Sequence, residues 1–315
     1  MQVEPDAREA VGDRVRLLER MGSVLDRAEL RAPGDGVLRD PAAVELVHSV
    51  QRALRSGPLP PGRRRALERE FARLPSAGFG AAQPRDHLRR SLARAMRSVP
   101  ARADGERPAA AEVVGWRESE REALAAALEL LTVTWPESAA EVRESVVEIA
   151  LLDGDAIDGF TDFAVHGAVL IHRARLRANA AGLPGPVRFA EALVHEGAHT
   201  SCNAAAAADP FLVPERPAAG ADAPAELLVP TPLRADPRPL SGLFQQTVVL
   251  ARSVLLYGRL AGSALGGGAP AVDARRERLL TQGRQAVGTL GAHTAALTEH
   301  GNRVLSQCGA VFANG

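Results

Sequence analysis

The first part of this 315-residue chain carries apolar positions at helical spacing, punctuated by proline and glycine. Arg8 to Leu30 reads as one helix. Asp40 followed by Pro41 is a helix-opening pair and predicts a second helix to Arg55. Gly57-Pro58-Leu59-Pro60-Pro61-Gly62 breaks the pattern. Further helices are expected at Arg65 to Leu74, His87 to Arg97 and Ala109 to Leu131, with Pro136 opening a short one.

From Ser145 the period changes. Val146 to Leu152 is a near-continuous apolar run and predicts a strand, closed by a turn at Asp153-Gly154-Asp155. Gly167 to His172 is a second strand candidate. After Pro184-Gly185-Pro186 the chain turns helical again, to about Ala207. Pro210 to Pro239 reads as a long proline-rich loop. Helices are expected at Leu240 to Leu260 and Asp273 to His300, joined by a flexible Gly262 to Gly268 that lacks the preceding strand a dinucleotide loop requires. This pattern implies a mainly α chain with a small β-sheet (α+β). A helical region over 1–140 precedes a site-bearing region over 141–315, and the two can share one core.

Composition changes the picture in one respect. All 38 basic residues are arginine, and no lysine is present. Schiff-base lysine chemistry and the P-loop lysine are therefore excluded. Any organic anion must be held by arginine, a hydroxyl, an amide, backbone N–H groups or a metal. The formal net charge is +0, which gives no overall attraction to nucleic acid or anionic lipid. The arginine-rich His87-Leu88-Arg89-Arg90 stretch lacks the interleaved aromatics of a nucleic-acid surface. The two cysteines, Cys202 and Cys308, have no CxxC spacing, so no thiolate zinc site or disulfide framework is expected. A polar, acidic start and the lack of any apolar run of about 20 residues lead to the expectation of a cytoplasmic protein with no membrane partner.

The informative motif is His195-Glu196-Gly197-Ala198-His199, set in the apolar helix Ala190 to Val194. Residues four apart lie on one helical face, so the two imidazoles can reach one metal ion, with Glu196 beside it. Two histidines rarely complete a site. The short-spacing zincin pattern wants a third histidine where this chain has Ala205. The longer pattern wants an acid on a second helix, whereas Glu215 and Glu226 fall in the proline-rich loop. A second unusual segment packs prolines around Arg234, Asp236 and Arg238 before entering an apolar helix at Leu240.

On these residues the chain resembles the bacterial HExxH proteins associated with peptide modification, some of which are 2-oxoglutarate-dependent β-hydroxylases. The resemblance rests on three parts, in order: Ala190 to Glu196; Pro232-Leu233-Arg234 with Asp236-Pro237-Arg238-Pro239-Leu240; and Gly242-Leu243-Phe244 entering a helix through Val249 to Arg252. It spans roughly residues 145–300. It implies a zincin-like helix packed beside a short sheet, an Fe(II) centre on His195 and His199, and 2-oxoglutarate as co-substrate. The family pattern has a third histidine where this chain has Gln245. Gln245 is then an unusual third ligand, or the metal holds fewer protein ligands, or the site has lost oxygenase activity. Arg252 shares a helical face with Gln245. Arg234, Arg238 and Arg252 are rival anchors for the distal carboxylate, which suits a guanidinium fork.

Three functions stay open on the sequence. One is an Fe(II)/2-oxoglutarate oxygenase hydroxylating an unactivated carbon of a peptide or amino-acid-derived substrate, free or carrier-bound, with Glu196 orienting a ligand or substrate amide. Another is a zinc hydrolase in which Glu196 is the general base. The last is an inactive binding or scaffold protein. Thr161 and Asp162 are candidate substrate contacts. His166 and His172 read as packed or hydrogen-bonded. Tyr257 reads as remote from the metal, and Cys202, Cys308, His293 and His300 as structural or surface. His48 and His87 read as helix-surface residues.

Overall fold

In the computed structural model, residues 1–100, 106–214, 227–232, 234–263 and 269–315 are described, without the side chains of 234 and 235. In chain order these form α1 (Ala7–Arg27), α2 (Asp35–Leu38), α3 (Pro41–Leu54), α4 (Pro61–Phe71), β1 (Gly80–Ala81) and α5 (Asp86–Met96). They continue with β2 (Ala111–Val114), α6 (Glu118–Thr134), α7 (Pro136–Ser145), β3 (Glu148–Gly154), β4 (Gly159–Thr161), β5 (Ala168–His172) and α8 (Gly185–Ala208). The last are β6 (Leu228–Thr231), β7 (Arg234–Pro239), α9 (Leu240–Ala261), α10 (Pro270–Gly291) and α11 (Glu299–Asn314).

The apolar run read as a strand is the centre of the main sheet. Residues Glu148 to Leu152 of β3 are all buried, as expected of a strand covered on both faces. It pairs in parallel with β1 and β5 and antiparallel with β2. β4 lies antiparallel on the outer side of β5, as an edge strand. Helix α8 packs on β4 and β5 and on α6, α7 and α9. It is buried nearly all round, polar positions such as Glu191, Glu196 and Thr200 included, which marks a core helix rather than a surface one. Phe189, on α8, meets Trp116 edge-on at 6.2 Å, and the Trp116 indole N–H donates to Ile149 O at 3.1 Å. A second apolar cluster joins α1, α3 and α4 through Leu25, Val47, Leu67 and Phe71. The fold is thus mainly helical with two small sheets. No described helix is long and apolar enough to cross a membrane.

Four local expectations are corrected. The helix expected from Ala109 begins only at Glu118, because Ala111–Val114 pairs with Leu151–Gly154. Pairing on an exposed sheet edge outweighs the helical preference of the alanines. The proline-rich stretch is not loop throughout, since β6 and β7 form a hairpin. A two-stranded sheet has free edges on both sides, so its prolines forfeit no central ladder bond. The expected helix to His300 stops at Gly291, and a new one starts at Glu299, capped by the Thr298 side chain. His87 is buried rather than on a surface, with Nε2 donating to Glu148 at 2.6 Å.

His166 carries a pH dependence. Its Nδ1 is enclosed and has no partner among the described residues, although the residue as a whole is only half-buried. Burial, aided by His48, lowers its pKa to about 4. The unfolded chain then binds a proton that the folded chain refuses between pH 6.5 and about 4. Stability should fall as pH falls through that window, by up to about 3 kcal/mol from this residue. Urea unfolding at pH 7, 5.5 and 4 measures it. His166→Asn should show a smaller loss, and an unchanged pH slope would contradict a neutral, enclosed imidazole.

Candidate metal centre

Helix α8 places His195 and His199 one turn apart, with ring centroids at 5.2 Å. Both line a cavity of about 630 Å³ together with Glu196. His195 keeps 36% of its side chain exposed, and that exposure opens onto the cavity. Burial lowers the proton affinity of both histidines. For His195, the charges of His199, Arg175 and Arg275 add to it; for His199, a hydrogen bond with Gln245 opposes it. Neutral imidazole is the form that ligates a metal, so the donor pair fits a borderline ion such as Fe(II) or Zn(II). Among the described residues, no group of three His, Cys, Asp or Glu side chains forms a complete ligand set.

Gln245, on α9, meets His199 through Nδ1 at 2.9 Å, with Gln245 Oε1 accepting. Its Nε2 donates to Asn203 Oδ1 at 3.0 Å, which fixes the amide's direction. A His199 ring that donates from Nδ1 keeps its Nε2 lone pair for a ligand. This contact orients a histidine, a role that outer groups commonly play around metal-binding imidazoles. Gln246, the next residue, lines the cavity, with Oε1 enclosed and without a partner among the described residues.

Glu196 is buried, with Oε2 accepting from Thr161 Oγ1 at 2.6 Å and Oε1 3.9 Å from His195 Nε2. Burial pushes its pKa up to about 7, with the Thr161 hydrogen bond and Arg175 opposing and Asp158 reinforcing the rise. Gly159 leaves the space this carboxylate occupies, because a Cβ there would stand 2.3 Å from Oε1. Gly159→Ala should therefore displace Glu196. The Thr161 hydrogen bond to Glu196 should be lost, seen as a changed Thr161 hydroxyl environment and faster exchange by NMR, while the melting temperature moves by only a few degrees. Unchanged spectra in variant and parent would contradict a fixed position for Glu196.

Two guanidiniums reach the cavity, Arg175 and Arg275. Arg175 uses Nε (3.1 Å) and Nη2 on Asp158. Arg275 uses Nε (3.1 Å) and Nη2 on Glu191, which also accepts from Tyr257 at 2.7 Å. In each, Nη1 has no partner among the described residues. Sequence reasoning singled out neither, since in a lysine-free chain an arginine carries no distinguishing signal.

Of the anchors it did single out, Arg252 and Arg238 have partners away from the cavity. Arg252 is buried on Glu141 and on Val3 O and Gln2 O. Arg238 pairs with Asp236 at 2.8 Å in the hairpin. Arg234 opens β7, and its side chain, like Glu215 and Glu226, lies outside the described residues. Asp162 is held by Arg94 at 2.6 Å, whereas Thr161 reaches Glu196. Set against known proteins, the chain matches no family model and no curated protein.

Proposed function

We propose that this chain is a mononuclear Fe(II), 2-oxoglutarate-dependent oxygenase acting on a peptide or amino-acid-derived substrate. In this reading α8 is the ligand-bearing helix of a zincin-like arrangement, packed beside the sheet. The observation that carries it is the joint opening of two neutral imidazoles and two guanidiniums onto one cavity. His195 and His199 would hold the ion, with His199 oriented by Gln245. When bound, iron with its 2-oxo acid supplies the oxidation of an unactivated carbon that no side chain can perform. The cavity of about 630 Å³ beside the two imidazoles has space for a small 2-oxo acid as well as for part of a substrate. Arg175 and Arg275 supply carboxylate-binding N–H groups within electrostatic reach of His195. Glu196 and Thr161 would position substrate beside the histidine pair.

Anaerobic titration of the Fe(II)-reconstituted protein with 2-oxoglutarate tests this. Arg175→Gln is the informative variant, because its partner Asp158 is largely exposed and tolerates the loss. Affinity should weaken about 10- to 100-fold, the range for losing a hydrogen bond to a charged group. Unaltered affinity would remove Arg175 from the site.

A zinc hydrolase is the second reading, and one observation favours it. Glu196, its pKa pushed up to about 7 and its Oε1 3.9 Å from His195, would hold or release a proton beside the two imidazoles, where zinc, when bound, would supply an activated water. It requires zinc in the purified protein and peptide cleavage that disappears in Glu196→Gln.

A further inference from the structure

The zero net charge of the chain conceals a separation of signs. Residues 52–73 hold seven arginines and two glutamates, whereas α6 holds four glutamates and one arginine. On α4, Arg65 and Arg69 stand one turn apart, on the side opposite the buried Leu67 and Phe71. Arg73, in the turn that closes the helix, extends the row. On α6, Glu118, Glu122 and Glu129 fall within about 40° of one another around the axis, opposite the buried Leu124 and Leu131. All six side chains are exposed, and none has an ion-pair partner among the described residues. Val133, 69% exposed, lies one turn beyond Glu129 on the same face.

Like charges one turn apart weaken a helix, and alternating signs would relieve that. Both helices instead keep rows of one sign, about 12 Å long on α4 and about 17 Å long on α6. Among the described residues, no ion pair joins the two rows within one chain. The helices also pack in different apolar clusters, α4 with α1 and α3, and α6 with α8.

We infer that α4 of one copy docks on α6 of a second copy, guanidinium facing carboxylate, with Val133 covered in the contact. The guanidinium fork suits a carboxylate, and the chain itself supplies carboxylates in a matching row. A nucleic-acid surface would offer aromatic faces for bases, yet the one aromatic of residues 52–73, Phe71, is buried. A membrane-seated helix would present large apolar side chains, and none of those exposed among the described residues lies on α4. Because the two faces differ, the contact is head-to-tail, and the assembly extends or closes into a ring. Neither helix lines the histidine cavity, so the contact leaves that cavity open and stands apart from the oxygenase reading.

Sedimentation equilibrium of the full chain tests this. At about 10 mM salt the average mass should rise with concentration above that of a single chain, and at about 0.5 M salt it should return to it. Arg65→Glu/Arg69→Glu/Arg73→Glu should be monomeric at both. Adding Glu118→Arg/Glu122→Arg/Glu129→Arg restores opposite rows and should restore association, about tenfold or more tighter than in the first variant. Adding Glu19→Arg/Glu277→Arg/Glu299→Arg instead, at exposed positions away from both rows, restores the net charge alone and should leave the protein monomeric. A parent that is monomeric at low salt, association that survives the first variant, or equal behaviour of the two compensated variants would each overturn the inference. So would tighter binding of the parent to a single-stranded oligonucleotide or to phosphatidylserine vesicles than to itself, lost in the first variant.

Discussion

His195→Ala and His199→Ala should each yield a folded protein that no longer retains metal. Both side chains open onto the cavity, so truncation leaves the core of α8 intact. One remaining imidazole is a poor site for any divalent ion. Metal content after dialysis should fall from about one ion per chain to below about 0.1, with far-ultraviolet circular dichroism unchanged. Gln245→Ala separates the possible roles of that residue. If Gln245 orients His199, its loss weakens metal affinity by about 10- to 100-fold without abolishing binding. If it were itself a ligand, its variant would match the histidine variants.

The second large effect concerns stability. Arg252→Ala should cost about 3–5 kcal/mol, the range for removing one partner of a buried ion pair. The guanidinium is 4% exposed and grips the Glu141 carboxylate, itself 7% exposed. It also donates to Val3 O at 3.0 Å and Gln2 O at 3.1 Å. Without it, Glu141 retains, among the described residues, Ser201 at 2.6 Å and the Asp6 N–H at 3.0 Å. Urea denaturation measures the loss. An Arg252 that anchored 2-oxoglutarate instead would give a variant as stable as the parent and deficient in co-substrate binding.

The parts of the fold legible in the sequence were those with a local cause. Asp40 and Pro41 mark the start of α3, and the Asp40 side chain accepts from Ala42 N as an N-cap should. β3 was legible because a buried parallel strand is apolar on both faces. Helix α8, with its histidine pair, was legible because period and spacing coincide. What stayed hidden depends on distant partners. β2 is a strand only because β3 offers it an edge, and β4 is three residues whose role comes from their neighbour β5 and from Glu196. Arg175 and Arg275 reach the cavity from segments a hundred residues apart. Arg252 shares a helical face with Gln245, but that face continues into the core, where Glu141 takes the charge. Helical spacing gives direction around an axis and says nothing of what lies at the end of a long side chain.

The most direct measurement is succinate formed per 2-oxoglutarate consumed, by the Fe(II)-reconstituted protein in air, with peptides selected for binding supplied as substrate. The oxygenase reading predicts succinate that requires iron, oxygen and 2-oxoglutarate together, accompanied by a 16 Da mass gain on the peptide (about one oxygen atom) and abolished in His195→Ala. Peptide cleavage by a zinc-loaded protein, with no succinate under any of these conditions, would contradict it.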